Sequence, residues 1–227
     1  MPVTATVAVV SAAVLDALFA EPPGRVHPVA LLGRVVARVD RRCDGNSRAS
    51  DGVRPRVVGL LVAVAFPLGF ASVAAAAVWL GGAVHPWFGA AVAAGVLFST
   101  TSLRLLLDSA RTVIEESDAD LDAARMDLLA LAGRDADSLD AAHVRSAAVE
   151  SLAENLADGL VAPLVAFAVV AAAVSALAPL EPTSPSALPL TAGAAAAAWV
   201  KAVNTLDSML GYRSKPIGWA PARLDDS

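Results

Sequence analysis

Long apolar runs alternate with polar stretches along this 227-residue chain. The apolar runs, rich in Ala and Val, cover residues 3–20, 57–81, 87–107, 160–180 and 188–203. A helix needs about 20 apolar residues to cross the roughly 30 Å hydrocarbon core of a bilayer, and in lipid every backbone polar group has to be bonded within its own segment. The pattern therefore predicts an all-α, polytopic helical membrane protein with about five transmembrane helices, folded as a single integral-membrane domain over 1–227.

The polar stretches between these runs are also expected to be helical. They cover residues 21–56, 108–158 and 204–227. The first contains a basic amphipathic segment, typical of a helix lying on an anionic membrane surface. In the second, Ser117 followed by Asp120 resembles a capping box, and an apolar stripe follows it that Gly133 closes. A helix that begins at Ser117 and another from near Ser138 through Asn155 are predicted.

Positive charge is confined to the polar part of the chain. Charged residues make up only 17% of the sequence, against 56% hydrophobic ones, whereas average globular chains carry roughly 25% charged residues. The seventeen Lys and Arg all lie in 21–56, 108–158 or 201–227, except Arg104 at the end of the third apolar run. Because Lys and Arg accumulate in cytoplasmic loops, we expect a multi-pass protein of the cell membrane whose polar motifs face the cytosol.

Several protein classes are excluded by what the sequence lacks. The single Cys43 leaves no internal disulfide and no Cys-based zinc site. P-loop, Rossmann, H-E-x-x-H and G-x-S-x-G motifs are absent, and the basic segment has none of the interleaved aromatic residues that nucleic-acid binding uses. The first apolar run lacks a basic n-region and contains Asp16, so it is not expected to be a cleavable signal peptide.

Two similar polar motifs lie at the ends of apolar runs. In each, an Asn precedes an Asp by three residues: Asn155 and Asp158 before the fourth run, and Asn204 and Asp207 after the fifth. Residues three apart share one face of a helix, so the two pairs are expected to form two walls of one polar site. The alternative for the second pair is a hydrogen-bonded helix end with Gly211 after it.

Carboxylates form a stripe ahead of the fourth run. Glu150, Glu154 and Asp158 are spaced four apart and line one helix face without alternating cations. Such a stripe repels itself unless solvent, a basic partner or Mg²⁺ offsets the charge, and Mg²⁺ favours oxygen ligands and commonly bridges to phosphates. A solvated helix face and a metal site are equal alternatives here.

Cations near these motifs are candidates for binding phosphate or carboxylate. Arg213 and Lys215 follow the second Asn–Asp pair, next to Tyr212; Arg binds such groups through its bidentate fork and Lys as a point charge. Arg134 follows Gly133 and belongs either to a plain helix stop or to an anion contact. His143 lies on the same side as the carboxylate stripe and is either structural or a proton acceptor.

The longest motifs are A-V-E-S-L-A-E-N at 148–155 with D-G at 158–159, and K-A-V-N-T-L-D-S-M at 201–209 with G-Y at 211–212. Shorter ones are L-D at 15–16, E-P at 21–22, H-P-V at 27–29, H-P-W at 85–87, G-R-D at 133–135 and A-R-L-D-D at 222–226. With these motifs the chain resembles, over essentially its whole length, the CobD/CbiB membrane proteins of cobalamin biosynthesis, the adenosylcobinamide-phosphate synthases. The resemblance implies a carbon–nitrogen ligase that uses ATP and Mg²⁺ to join adenosylcobyric acid, a corrinoid, to (R)-1-amino-2-propanol or its O-phosphate.

The resemblance also suggests roles for the candidate residues. A catalytic role is expected of Glu150, Glu154, Asp207, His143 and Asp225, with His143 or Asp225 taking the proton of the amine. Binding of substrate or phosphate is expected of Arg134, Asn155, Asn204, Tyr212, Arg213 and Lys215. Binding of the metal ion is expected of Glu154, Asp158 and Asp207. Besides the substrates, the bilayer is the expected partner, and nucleic acid is not.

Family members continue well beyond the R-L-D-D segment at 223–226, so a truncated or split protein is expected. It would act as a homo-oligomer or with a partner that supplies the C-terminal part. Two other function classes stay open. One is a Mg²⁺-dependent intramembrane transferase acting on a lipid diphosphate, suggested by the paired acidic motifs at span ends. The other is a non-catalytic membrane subunit of a corrinoid-assembly complex.

Overall fold

The computed structural model describes residues 3–22, 30–31, 33–35, 37–38, 53–133, 136–177, 187–210, 220 and 223–224. Within these ranges the longer helices are α1 (Val3–Phe19), α2 (Val53–Val84), α3 (Pro86–Thr100), α4 (Leu103–Ala119), α5 (Leu121–Ala132), α6 (Ala141–Leu156), α7 (Ala162–Leu177) and α8 (Leu188–Leu210). A π turn, Ala157–Val161, joins α6 to α7. The described residues contain no strand, so the predicted all-α fold class is confirmed.

Three helical stretches are long and apolar enough to cross a membrane, and a shorter apolar helix accompanies them. The long stretches are Val57–Val84, Pro86–Ala119 and Ala141–Leu177, and the short helix is Val3–Phe19. Exposed side chains of α1 recur every three or four residues, as Val3, Val7, Val10, Val14 and Leu18 do. This spacing places them on one helix face, as expected for a helix that presents one side to lipid.

Helices α1, α2, α3, α7 and α8 form what we call the apolar bundle. Within it α8 packs against α2, α3 and α7, and α1 packs against α3. Most of its buried side chains are small, including Ala5, Ala8, Ala90, Ala93 and Ala194. Small residues let helix backbones approach closely in membranes. One such close approach is at Gly89, where an added Cβ would lie 2.9 Å from the Cα of Gly82.

Helices α4, α5 and α6 form a second unit, the polar layer, around a core of its own. This core contains Val113, Ala124, Leu128, Ala136, Val144 and Ala148. The carboxylate of Asp120 accepts hydrogen bonds from the backbone N–H groups of Asp122 and Ala123 and caps α5, and Gly133 ends α5 in the left-handed conformation (φ 63°). The helix end at Gly133 is therefore confirmed.

Two predicted helix starts in the polar layer are corrected. The capping box at Ser117 was wrong, because Ser117 lies inside α4 and donates its hydroxyl hydrogen bond to the carbonyl of Ile114. The residue that caps the next helix is Asp120. The helix expected from near Ser138 begins at Ala141, where the Asp140 side chain accepts from the N–H of His143. In both cases the capping residue is an Asp and not the nearby Ser.

The predicted third span, 87–107, is interrupted. Helix α3 ends at Thr100, and Thr101 is extended (φ −115°, ψ 152°). The hydroxyls of Thr100 and Thr101 both donate to the carbonyl of Leu97, at 3.0 and 2.9 Å. Side-chain bonds of this kind compete with the helical pattern, and α4 starts again only at Leu103.

Asp16 of α1 joins the apolar bundle to the polar layer. Its two carboxylate oxygens accept from the backbone N–H groups of Leu103 and Arg104, each at 3.0 Å, and so cap the start of α4. The guanidinium of Arg104 donates in return to the carbonyls of Ala17 and Leu18 at the end of α1. The end of one helix and the start of another thus satisfy each other's unpaired backbone groups.

Candidate functional site

Four segments that are distant in sequence meet at one end of the apolar bundle, which we call the polar end. They are the residues just after α1, the break between α3 and α4, the π turn and the last turns of α8. Ser102, in the break, connects two of the others: its hydroxyl donates to Glu21 Oε1 at 2.9 Å, and its backbone N–H donates to the carbonyl of Gly159 at 3.1 Å. The break in the third predicted span therefore supplies contacts that a continuous helix would not have.

The π turn has a local cause in the sequence. Pro163 has no backbone N–H, so it cannot donate to the carbonyl of Gly159 four residues earlier. Ser102 takes that carbonyl instead, while the N–H of Ala162 reaches back five residues to the carbonyl of Ala157. Such π turns occur frequently at functional sites. Here the turn carries Asp158 and leads the helix into the apolar bundle.

Asp158 and Asn204 line the same cavity, of about 310 Å³. Its other walls are Ala162, Trp199, Val200, Val203 and Leu224. Asp158 comes from the π turn and Asn204 from α8, and both side chains are half-buried. The structure therefore brings together one member of each Asn–Asp motif. We call this space the Asp158 cavity.

The half-buried side chain of Lys201 lies next to the Asp158 cavity. A Cβ added to Gly159 would lie 3.8 Å from the Lys201 Nζ and 3.7 Å from Leu106 Cδ1, so the ammonium rests against the bare backbone of the π turn. Glu21 and Asp158 interact electrostatically with this ammonium. The polar end thus combines two carboxylates, one carboxamide and one ammonium on four segments.

Glu21 and Lys201 both lie in motifs that carry the family resemblance, but neither was assigned a role from the sequence. Glu21 lies beside a proline-punctuated turn, and its partner Ser102 is 81 residues away, so no local pattern indicated their contact. Lys201 carried a usable signal, because it follows an alanine-rich helix segment. An ionisable residue within a membrane-spanning helix is expensive and commonly functional.

The carboxylate stripe does not continue into the Asp158 cavity. Glu150 and Glu154 are exposed on α6, whereas Asp158 is half-buried. Asp158 lies in the π turn, which starts at Ala157 and follows α6, and it lines the Asp158 cavity. Asp207 is half-buried on α8, three residues beyond Asn204.

No group of three or more His, Cys, Asp or Glu side chains in the described ranges is arranged to hold a metal ion. Glu154, Asp158 and Asp207 therefore do not form such a group in the structure. A divalent cation at the polar end would instead need oxygen atoms of a substrate or water among its ligands, as Mg²⁺ commonly has.

Asn155 faces a different cavity from Asp158. Its side-chain N–H₂ group donates to the carbonyls of Ser151 (2.9 Å) and Leu131 (3.3 Å). It lines a space of about 510 Å³ between α4, α5 and α6, together with Leu105, Leu106, Asp108, Ser109, Thr112, Asp127, Ala130 and Leu131. Asn155 thus ties α6 to the end of α5, and the structure separates it from its motif partner Asp158.

His143 is exposed at the start of α6. Its Nδ1 lies 2.8 Å from Asp140 Oδ1, and its backbone N–H donates to the same oxygen at 2.9 Å. These hydrogen bonds, the backbone one foremost, hold the pKa of Asp140 below its usual value. The π turn begins fourteen residues further on, which is about 21 Å along a helix. The structure therefore does not bring His143 to the Asp158 cavity.

The remaining predicted site residues lie outside the described residues. They are Arg134, Tyr212, Arg213, Lys215 and Asp225.

Comparison with known proteins gives a consistent result. The model of a family described as CobD/Cbib protein matches residues 9–227. Similar relatives are proteins named cobalamin biosynthesis protein CobD. The one from Photorhabdus laumondii is 33% identical over 95% of this chain and 61% of its own length. Those from Klebsiella pneumoniae and Mycobacterium tuberculosis are 35% and 36% identical, over 94% and 98% of this chain and 60% and 62% of their own lengths.

The chain thus spans about three fifths of the length of the curated relatives it matches. No solved structure matches it.

Proposed function

The chain belongs to the CobD/Cbib protein family, and we propose that it takes part in cobalamin biosynthesis. The reaction we propose is ATP- and Mg²⁺-dependent amide formation between adenosylcobyric acid and (R)-1-amino-2-propanol or its O-phosphate. The names of its relatives support the pathway. The family resemblance described above supports the reaction.

The observation that carries the proposal is the shared cavity of Asp158 and Asn204 at the polar end. It brings side chains of the two longest family motifs to one place, although 46 positions separate them in sequence. Glu21 interacts electrostatically with the Lys201 ammonium, as Asp158 does. A second carboxylate therefore lies in this region. Carboxylate and carboxamide oxygens at the mouth of an apolar bundle suit a substrate that arrives as a metal–phosphate complex.

Chemically, a propionate carboxylate of the corrinoid would attack the terminal phosphorus of ATP, giving an acyl phosphate and ADP. The amine would then attack the acyl carbon, expel inorganic phosphate and lose one proton, which leaves the amide. When bound, Mg²⁺ would neutralise phosphate charge, with Asp158 and Glu21 as the carboxylates that hold it. Asn204 would orient the phosphate or carboxylate group. Positioning and charge neutralisation would supply most of the acceleration.

We further propose that the protein is a multi-pass protein of the cell membrane with its polar end towards the cytosol. The apolar helices support the membrane location. The orientation is supported by the Lys and Arg residues, which lie in the polar stretches except for Arg104 and Lys201 near the ends of apolar runs. ATP and the corrinoid would then approach from the cytosol.

The test is amide formation by the purified chain in lipid nanodiscs, supplied with adenosylcobyric acid, the amine, ATP and Mg²⁺ and followed by mass spectrometry. We expect adenosylcobinamide or its phosphate as product, and a loss of about 100-fold or more for Asp158→Asn, as when a group that stabilises developing charge is removed. Glu115→Gln, on the exposed face of α4, is the matched control and should keep the parent rate. Absence of product from the parent chain, together with failure to restore growth of a strain that lacks the family's gene, would refute the proposal.

A further inference from the structure

We propose that Lys201, which lies beside the Asp158 cavity, is a phosphate-binding residue of the polar end, a role that rests on the proposed function. The site would take the polyphosphate part of a nucleotide, with the Lys201 ammonium donating hydrogen bonds to phosphate oxygens. The first support is the unusual position of this cation. It lies near the end of an alanine-rich helix, half-buried against the backbone of the π turn.

Lys201 differs from several arginines of the polar layer in its contacts. Arg104 and Arg111 each contact Asp108, Arg125 contacts Asp122, and Arg145 contacts Asp118, with nitrogen–oxygen distances between 2.6 and 3.8 Å. Among the described residues, no hydrogen bond or ion pair within 4 Å involves the Lys201 ammonium. Within the part of the chain that the structure describes, the acidic groups that interact with it electrostatically are Glu21 and Asp158.

This arrangement leaves the hydrogen-bond donors of Lys201 available. An ammonium has three donors and no acceptor, and a half-buried charge without a direct partner is costly. A ligand that supplies several anionic oxygens removes that cost. Phosphate does so, and lysine is a common phosphate-binding residue that acts as a point charge.

The neighbours of Lys201 define what would bind. Asn204 lies three residues further along α8 and therefore on the same helix face, and it lines the Asp158 cavity. The Lys201 ammonium lies against the backbone at Gly159, a residue that has no side chain to cover it. Lys201 itself does not line the cavity, so a phosphate group would bind at the cavity edge, between the ammonium and the Asn204 carboxamide. Asp158 and Glu21 are acidic groups suited to the divalent cation of that phosphate.

A purely structural role for Lys201 gives a different expectation. In that case the ammonium would only hold Glu21 and Asp158 near each other, and its loss would lower stability without a specific effect on phosphate affinity. Ligand affinity and stability therefore have to be measured separately.

The experiment uses the full chain in nanodiscs of zwitterionic lipid, with tripolyphosphate and Mg²⁺ as the probe. Isothermal titration calorimetry would compare the parent protein with Lys201→Met, Lys201→Arg and the control Arg145→Gln, which removes a cation of the polar layer that already pairs with Asp118. We expect Lys201→Met to weaken tripolyphosphate binding about 10- to 100-fold, as when a charged hydrogen-bonding partner is lost. Lys201→Arg should recover most of the affinity, and Arg145→Gln should match the parent protein.

A second measurement needs no variant and so does not depend on the folding of Lys201→Met. Amine acylation of the parent protein, read by peptide mass spectrometry, should be slowed at Lys201 by tripolyphosphate and left unchanged by sodium chloride at equal ionic strength. If saturating tripolyphosphate left the rate of Lys201 acylation unchanged, the proposal would be overturned. So would parent-like affinity of Lys201→Met.

Failure of this proposal can be told apart from failure of the proposed function. If tripolyphosphate binds through Lys201 but no ATP-dependent amide is formed, the phosphate site stands and the reaction is different. If the amide is formed and Lys201→Met leaves the KM for ATP unchanged, the reaction stands and the role of Lys201 is refuted.

Discussion

The apolar bundle packs its helices mainly through alanine and glycine, with a few large buried side chains such as Phe167, whereas the polar layer packs α4, α5 and α6 around Val113, Leu128 and Val144. In lipid, an apolar side chain gains little by leaving its surroundings, so close backbone approach has to supply the attraction. In water, burial of a large side chain is itself favourable. The same substitution should therefore have different consequences in the two regions, and four experiments exploit that difference.

The largest effect is expected in the core of the polar layer. Leu128 is fully buried, and replacing a buried Leu by Ala costs about 2–5 kcal/mol, because apolar contact is lost and a cavity remains. Leu128→Ala should therefore lower the thermal unfolding midpoint in detergent, with early proteolysis between α4 and α6. Leu129→Ala, at a half-exposed neighbouring position, is the control. Equal midpoints for the two variants would show that this layer is not held by its apolar core.

In the apolar bundle the corresponding test adds volume. A Cβ at Gly193 would lie 2.9 Å from the carbonyl oxygen of Phe167 and 3.1 Å from the Cβ of Ala171. Gly193→Ala should therefore separate α7 from α8 and cost about 1–3 kcal/mol, as overpacking does. At Gly69 nothing lies within 4 Å of the added atom, so Gly69→Ala should be neutral or stabilising. If Gly193→Ala unfolded no earlier than Gly69→Ala, close packing would not be what holds α7 against α8.

The joint between the two regions should give an intermediate effect. Asp16 caps α4 through two backbone N–H groups, and loss of a cap typically costs about 0.5–2 kcal/mol. Asp16→Ala should lower the unfolding midpoint accordingly and increase hydrogen exchange at Leu103 and Arg104. Asp16→Asn, which keeps one acceptor oxygen, should recover part of the loss. Unchanged exchange at these two amides would contradict the capping role.

The smallest effect concerns pH. Desolvation, followed by the neighbouring Asp127 carboxylate, raises the pKa of Glu116 on α4. A raised carboxyl pKa means that the folded protein disfavours the ionised form, so stability falls as pH rises from the ordinary Glu value of about 4.3 through the raised pKa. Glu116→Gln should therefore unfold at a slightly higher temperature than the parent protein at pH 7, and this difference should disappear near pH 4. Glu115→Gln, on the exposed side of α4, should show no such pH-dependent gain.

The features that the sequence predicted correctly are those set by local pattern. Runs of apolar residues and the glycine stop at Gly133 depend on neighbours within a few positions. The cap at Leu103 and Arg104 instead needs Asp16, which is 87 residues away from Leu103. No periodicity within one segment contains that information.

The candidate site shows the same division. Sequence spacing predicted that the two Asn–Asp motifs would meet, and one member of each does line the Asp158 cavity. The carboxylate stripe was predicted from α-helical spacing through Asp158, and the structure has a π turn there instead of an α-helix. The sequence contained one indication of an interrupted α-helix, Pro163, because its missing N–H leaves the carbonyl four residues earlier without its helical donor. That Ser102 would supply the substitute donor depends on the tertiary fold.

Helices α6 and α7, with the π turn between them, form one unbroken 37-residue stretch, Ala141–Leu177. At 1.5 Å per residue this is a rod of about 55 Å, with its first half in the polar layer and its second half in the apolar bundle. Asp158 lies near the midpoint of this rod. Because no loop separates the two halves, a tilt of the half in the polar layer would also move the half in the apolar bundle, and with it the wall of the Asp158 cavity.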